Sequence, residues 1–379
     1  MKKILIVYAN SGAGHRRAAE ALFAVAEKNF PSVQVKLLDV LDYTSAAFRR
    51  SYPATYLFMV NHCPKLWGFC FYLLDNRQVD KIARVFRRKT NSVHGQPFMK
   101  FLLEEDPDLI LTTHFLPNEL ISCLKKRHKF RASLITCITD YYPHAWWRDS
   151  GVDLYIAPNQ DLVPQLLRLG IAETNIATLG IPIHPNFAVS IEQTIIRWKL
   201  GLVEDQFTVL ITSGGFGVGP IRKLVAHLNR ISTPLQFVVI CGNNLKLQDE
   251  LIAVTKKTIH SIRIFGFVQN MQEFMAVSDL MISKSGGLTS TEAMAKGLPL
   301  IALRPIPGQE SSNCAFLLKQ KAGIRVKNER QACNAVEDLL HNPDKLQELR
   351  RNMTRIGRPH AAEEIISYVK KFFKIDEAG

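Results

Sequence analysis

At 379 residues, 47% of them apolar, the chain is too long for one comfortable hydrophobic core and implies two domains with enough apolar material to bury both. Its 48 Lys and Arg against 34 Asp and Glu leave a formal charge of +14, which favours acidic partners: nucleic acid, anionic lipid head groups or polyphosphate substrates. Lys65 and Asp75 break the greasiest region, so no run approaches the roughly 18 to 20 apolar residues of a spanning helix, and any membrane contact is peripheral.

Met1-Lys2-Lys3 followed by the apolar residues 4–9 imitates a secretion signal, but the stretch is short and runs straight into Asn10-Ser11-Gly12, so a buried first strand explains it better. A helix over about residues 15–29 and a strand over 33–38 come next, then strands at 109–112, 134–139 and 154–157. A second series begins at 208–212 and continues through 236–241, 263–265, 280–283 and 300–303. Short apolar strands alternating with helical patterns indicate the α/β class, here two Rossmann-like doubly wound parallel sheets. Gly180-Ile181-Pro182-Ile183-His184-Pro185-Asn186 carries two prolines and no periodicity and reads as the linker between domains 1–185 and 186–360. An amphipathic C-terminal helix within 361–379 is able to pack back on either domain, with the N-terminal one the expected partner. Ligands of such sheets sit beyond the carboxyl ends of the strands, so two domains facing across a cleft would carry their sites on its two walls. Seven cysteines without CxxC spacing fit small core residues in a reducing cytoplasm.

Three glycine-rich strand-to-helix turns hold the candidate chemistry. The first, Asn10-Ser11-Gly12-Ala13-Gly14-His15-Arg16-Arg17-Ala18, resembles a dinucleotide fingerprint without its third glycine, and Asp39 stands where a ribose-binding acid would, so a nicotinamide or flavin reading stays open. Gly12 and Gly14 allow close backbone approach, and His15 lies where a helix begins. A helix N-terminus disfavours the imidazolium, leaving a neutral ring able to take a proton from an alcohol; the alternative is a histidine that only caps the helix or fills the cleft. Asp140, after the strand at 134–139, either orients that histidine or shares the base role. The second turn, Thr212-Ser213-Gly214-Gly215-Phe216-Gly217-Val218-Gly219-Pro220, places Gly214 and Gly215 against a ligand or an opposing domain. The third, Lys284-Ser285-Gly286-Gly287-Leu288-Thr289-Ser290-Thr291-Glu292, opens a helix whose N–H groups suit phosphate oxygens. A carboxylate at Glu292 repels phosphate but accepts hydrogen bonds from sugar hydroxyls, which favours a nucleotide-sugar. Gln309, Glu310 and Asn313 in Pro307-Gly308-Gln309-Glu310-Ser311-Ser312-Asn313 add hydroxyl-reading groups.

Between residues 48 and 74, Tyr52, Tyr56, Phe58, Trp67, Phe69 and their aromatic neighbours are interleaved with Arg49, Arg50 and Lys65, as at the interface of an anionic membrane; the alternative is the core of a helical hairpin. Arg84, Arg87, Arg88 and Lys89 would extend the basic surface, and Lys125, Lys126, Arg127, Lys129 and Arg131 form another cluster. No helix-turn-helix, finger or RNP-like segment supports specific nucleic-acid binding.

Taken in order, the SGAGH turn, Thr139-Asp140, Gly180-Ile181-Pro182-Ile183, Cys241-Gly242-Asn243-Asn244, Gly266-Phe267-Val268, SKSGGLTSTEA and PGQESSN resemble the GT-B glycosyltransferases that include bacterial processive diacylglycerol glucosyltransferases, plant monogalactosyldiacylglycerol synthases and, more distantly, MurG. The resemblance implies a cytoplasmic enzyme at the inner face of the cell membrane. It would transfer a hexose from UDP-glucose, or next UDP-galactose, to diacylglycerol without a metal or cofactor and with inversion to a β-product. Alternatives are another lipid or polyprenyl-linked acceptor and, more remotely, the oxidoreductase. Carried over by position, the resemblance makes His15 the base. Val268 presents its backbone to uracil, Leu288 and Thr289 hold the diphosphate with backbone and hydroxyl beside the substrate-binding Ser285, Gly286 and Gly287, Glu292 binds the ribose, Gln309 and Glu310 grip the hexose, and Asn313 supports them. The chain departs from the family at His184, where many relatives carry Arg, and at Phe216, where a small or polar residue is usual.

Overall fold

The computed structural model describes residues 3–127, 130–212, 219–254 and 258–373. The chain divides into two compact units, one of residues 1–185, 306–309 and 360–379, the other of 186–305 and 310–359.

The first unit opens with β1 (Lys3–Tyr8), α1 (Ala13–Asn29) and β2 (Gln34–Asp39). Four helices follow: α2 (Ala46–His62), α3 (Pro64–Asp75), α4 (Arg77–His94) and α5 (Gln96–Glu105). Then come β3 (Leu109–Thr112), α6 (Phe115–Lys126), β4 (Ser133–Cys137), β5 (Leu154–Ala157), α7 (Val163–Arg168) and β6 (Ile176–Thr178). The six strands form a parallel sheet in the order β2-β1-β3-β4-β5-β6. Alternation along β1 splits its side chains between two cores. Leu5 and Val7 join Phe98, Leu102, Leu116 and Leu120 on one face, while Ile4 and Ile6 join Leu22, Ala26, Ile365 and Val369 on the other. With both faces covered, every residue of the interior strands must be apolar or paired, which is why they read as continuous greasy runs.

The second unit runs α8 (Gln193–Lys199), β7 (Thr208–Thr212), α9 (Ile221–Leu228), β8 (Gln236–Ile240), α10 (Leu245–Val254), β9 (Ser261–Phe265) and α11 (Met271–Ala276). It continues with β10 (Leu280–Ser283), α12 (Gly287–Ala295), β11 (Leu300–Leu303), α13 (Gln309–Lys319), β12 (Gly323–Val326), α14 (Glu329–His341) and α15 (Pro343–Ile356). Its parallel order is β12-β11-β10-β7-β8-β9, that of a doubly wound nucleotide-binding sheet. Helix α16 (Ala361–Phe372) belongs to the first unit, where Ala362, Ile365, Ile366 and Val369 pack against the α1 residues Ala19, Leu22 and Ala26.

Strand order reverses between β1 and β3 in the first sheet and between β7 and β10 in the second. The turns leaving those strands are where a doubly wound fold receives ligands. They carry Ser11 to His15 and Thr113-His114 in the first unit, and Lys284 to Gly287 in the second. The turn after β7, with Gly214, Gly215 and Phe216, lies outside the described residues.

Candidate active site

In the first unit, α1 starts two residues before His15, with Gly12 at the N-cap in extended backbone (φ −176°, ψ 153°). A Cβ on Gly12 would meet nothing within 4 Å, so the protein leaves that approach open. Gly14 is the second residue of the helix. His15 Nδ1 lies 2.7 Å from the carbonyl oxygen of Thr113 and 3.0 Å from Thr139 Oγ1. A carbonyl only accepts, so Nδ1 carries the hydrogen and Nε2 keeps its lone pair. The hydroxyl of Thr113 donates to the His15 carbonyl at 2.8 Å, closing a reciprocal clamp between the β1 and β3 turns. Burial lowers the His15 pKa from its ordinary value, while the Asp140 carboxylate and the Thr113 carbonyl pull it back up. The balance is a neutral ring at pH 7 with its basic nitrogen available.

Asp140 acts on that ring through its charge; the contact that fixes the tautomer is the Thr113 carbonyl. The Gln309 side-chain amide donates to Asp140 Oδ2 at 3.3 Å, so the start of the PGQE motif is tied to the acid. Gly308 sits at φ +100°, where its Cβ would come within 3.1 Å of the Phe71 ring, and a Cβ on Gly68 would lie 2.4 Å from Pro307 Cβ. Residues 306–309 are thus laid on the aromatic face of α3.

His114 is a partner that sequence reasoning missed. Its ring is buried and meets His15 edge to face with centroids 4.5 Å apart. The Leu116 N–H donates to His114 Nδ1 at 3.0 Å, so Nε2 carries the hydrogen and donates to Ser11 Oγ at 3.1 Å. Burial, and next the proximity of His15, holds its pKa well below the ordinary value. The available signal was its place after β3, at the other side of the topological switch. Asp39 is engaged in fold-making: its Oδ1 accepts from the backbone N–H of Leu41 at 3.0 Å and of Asn10 at 3.3 Å, which steadies the first turn.

In the second unit, β10 runs through Lys284 and Ser285 into α12, with Gly286 as N-cap. A Cβ on Gly286 would meet nothing within 4 Å, so its lack of a side chain answers to no neighbour in the protein. The first helical bond is Ser290 N–H to the Gly286 carbonyl at 2.9 Å, and the N–H groups of Gly287, Leu288 and Thr289 precede it. Ser285 is fully buried and donates to the Glu310 carbonyl at 2.7 Å, joining this turn to the start of α13. Leu288, Glu292 and Asn313 are buried, Thr289 and Glu310 half-buried, and Ser290 Oγ is buried without a hydrogen-bond partner. Val268 is half-buried in the loop after β9. The structure therefore brings Ser285 through Glu292 together with Glu310 on adjoining elements of one unit, and Gly12, Gly14, His15, Asp140 and Gln309 on the other. His184 is exposed at the end of the linker.

The basic segment needs a correction. Arg84, Arg87 and Arg88 do not extend a basic surface: Arg84 pairs with Asp80, Arg87 Nε donates to Glu119 at 2.6 Å, and Arg88 to Asp149 at 2.7 Å. The reason is that their carboxylate partners are buried and require counter-charges. In the other cluster Lys125 is bound to Asp153 at 2.5 Å, Lys126, Arg127 and Arg131 are exposed, and Lys129 lies outside the described residues. Of the aromatics, Phe48 and Phe71 are core, as in the helical-hairpin alternative, and Phe58, Phe69 and Tyr72 are exposed. Among the described residues no helix is long and apolar enough to cross a membrane.

Residues 15–183 match the Monogalactosyldiacylglycerol (MGDG) synthase family, and residues 208–365 match the Glycosyltransferase family 28 C-terminal domain. A processive diacylglycerol beta-glucosyltransferase of Bacillus cereus (strain ATCC 10987 / NRS 248) is 29% identical over 377 residues, covering 97% of this chain and 93% of that protein. Among solved structures, Acinetobacter baumannii MurG superposes with a TM-score of 0.64 at 13% identity, over 98% of this chain and 100% of its own. The complex of Staphylococcus aureus MnaA with UDP gives 0.63 at 12% identity, over 99% and 98%.

Proposed function

Because this chain belongs to the GT-B glycosyltransferases that join a monogalactosyldiacylglycerol synthase region to a family 28 C-terminal domain, we propose that it transfers a hexose from a UDP-sugar to the hydroxyl of diacylglycerol. Glucose is the favoured sugar and galactose the next, because the Bacillus relative is named for glucosyl transfer. The observation that carries the reading is the His15 tautomer, with Nδ1 committed to Thr113 and a basic Nε2.

In this reading His15 Nε2 takes the proton of the acceptor hydroxyl as its oxygen bonds to the anomeric carbon, and the bond from that carbon to the UDP oxygen breaks. Attack from the face opposite the leaving group gives a β-glycosyl diacylglycerol. Negative charge on the departing diphosphate falls on the N–H groups of Gly287, Leu288 and Thr289, with the Thr289 hydroxyl beside them, so the reaction calls for no metal. Gly12, Gly14, Ser285 and Gly286 give close backbone approach, Val268 meets uracil, and Glu292 accepts from the ribose. Gln309 and Glu310 read the hexose, with Asn313 behind them, and Asp140 tempers His15 and orients Gln309. Peripheral attachment to the cytoplasmic face of an anionic membrane completes the reading, since the acceptor resides in a bilayer.

Incubating the protein with UDP-glucose and UDP-galactose separately on diacylglycerol-containing vesicles, with lipid products analysed, tests it. A β-hexosyl diacylglycerol from one donor is expected. No product from either donor counts against the acceptor, and no binding of UDP counts against the donor class.

A further inference from the structure

Helix α4 is built inside out. At about 100° per residue, Ile82, Val85, Phe86, Lys89 and Val93 fall on one stripe and Asp80, Arg84, Arg87 and Asn91 on the opposite one. On the surface of a globular protein the apolar stripe normally faces inward. Here Ile82 is 68% exposed, Val85 66%, Phe86 69% and Val93 58%, whereas Asp80 and Asn91 are buried. The inward stripe is held by polar contacts to other elements, Arg87 and Asn91 to the buried Glu119 of α6 and Arg88 to the buried Asp149, while Arg84 pairs with Asp80 of the same helix. Rolling the helix to hide its apolar stripe would strip Glu119 and Asp149 of their counter-charges, so the outward face is enforced.

The surroundings select one occupant. Residues 46–94 contain nine Lys and Arg but only two acids, Asp75 and Asp80. Asp75 accepts from the Ala145 N–H at 2.8 Å and from the Tyr142 hydroxyl, and Asp80 is paired with Arg84, so no carboxylate of this segment is exposed. Arg50, Lys65, Lys81 and Lys89 stay exposed. Neighbouring α3, packed against α4, exposes Leu66, Phe69 and Tyr72. An apolar stripe with lysines beside it and no outward carboxylate fits the boundary between head groups and acyl chains of an anionic bilayer, whereas a second copy would bring like charge to like.

We propose that α4 lies in the plane of the membrane, with Ile82, Val85, Phe86 and Val93 sunk among the acyl chains and Lys81 and Lys89 reaching to lipid phosphates. Arg87 and Arg88 fasten the helix to the protein, Arg84 is spent on Asp80 of the same helix, and none of the three touches lipid. This deepens the lipid-acceptor reading by naming the element that meets the membrane.

The test uses the full chain and vesicles of phosphatidylglycerol and phosphatidylcholine, without donor sugar or diacylglycerol, so failure of the glycosyltransferase reading leaves it untouched. Phe86→Trp should gain fluorescence, relative to the parent protein, that acyl-chain-brominated lipids quench. The double variant Ile82→Glu/Phe86→Glu should bind these vesicles at least about 10-fold more weakly, with melting temperature and UDP affinity unchanged. Absence of quenching, or parental vesicle binding by the double variant, overturns the proposal. So does a concentration-dependent dimer that the double variant abolishes, which would assign the stripe to a second copy. If the double variant does not fold, the quenching result alone decides.

Discussion

His15 combines a neutral imidazole with a tautomer in which Nδ1 carries the hydrogen and Nε2 the lone pair, the reverse of its neighbour His114. Its Nδ1 hydrogen is spent on the Thr113 carbonyl, and burial outweighs the opposing charge of Asp140. His15→Ala should therefore lower turnover by about 10²- to 10⁴-fold, the usual worth of a positioned base, while the dissociation constant for UDP stays near that of the parent. Near-parental turnover would move the base role to Asp140. The protonated ring has no lone pair at Nε2, so kcat/KM should fall as pH drops through a midpoint below the ordinary histidine value of about 6.5; a midpoint above it would contradict the burial argument. On the donor side, loss of a charged hydrogen-bond acceptor is worth about 1.5–3 kcal/mol, so Glu292→Ala should weaken UDP binding by roughly 10- to 100-fold in a titration. An unchanged dissociation constant would remove the ribose role. His15, Asp140 and Glu292 were legible as candidates because each follows an apolar strand; His114 was not, because nothing adjacent in sequence announces that its ring will lie against His15.

At the scale of elements, the short piece 306–309 shows how a loop is held by the helix beneath it. Gly308 at φ +100° has the Phe71 ring within 3.1 Å of where a Cβ would stand, and Gly68 leaves no room for a Cβ beside Pro307. Gly308→Ala should cost about 1–3 kcal/mol of local strain and displace Gln309 from Asp140, lowering both melting temperature and turnover. A variant with parental values of both would show that the loop is not tensioned against α3. The contrast between α4 and the strands is instructive. The continuous burial of β1 follows from its own apolar run, whereas the rotation of α4 depends on Glu119 and Asp149, which come from elements later in the chain.

At the scale of the molecule, four histidines among the described residues, His15, His114, His144 and His260, have pKa values lowered chiefly by burial. The folded chain keeps them neutral at pH values where the unfolded chain protonates them. The unfolded state then binds more protons, so stability is lost as pH falls below the ordinary histidine value of about 6.5. The melting temperature should fall between pH 7.5 and 5.5 by more than in a variant carrying His144→Gln and His260→Gln. A pH-independent melting temperature would mean that these rings are already hydrated in the native state.

Local pattern determined the α/β class, the two parallel series of strands and the positions of the glycine-rich turns, because short apolar runs, period-3.6 helical patterns and the backbone freedom of glycine are properties of neighbouring residues. The order of motifs was enough to recognise the glycosyltransferase family. Only the tertiary structure decided which nitrogen of His15 is basic, that His114 stands against it, and that three arginines of α4 face inward while its apolar residues face out. Each of those depends on partners far away in sequence, 98 residues for the Thr113 carbonyl and 61 for Asp149, and an electrostatic or hydrogen-bond preference has no sign until its partner is in place.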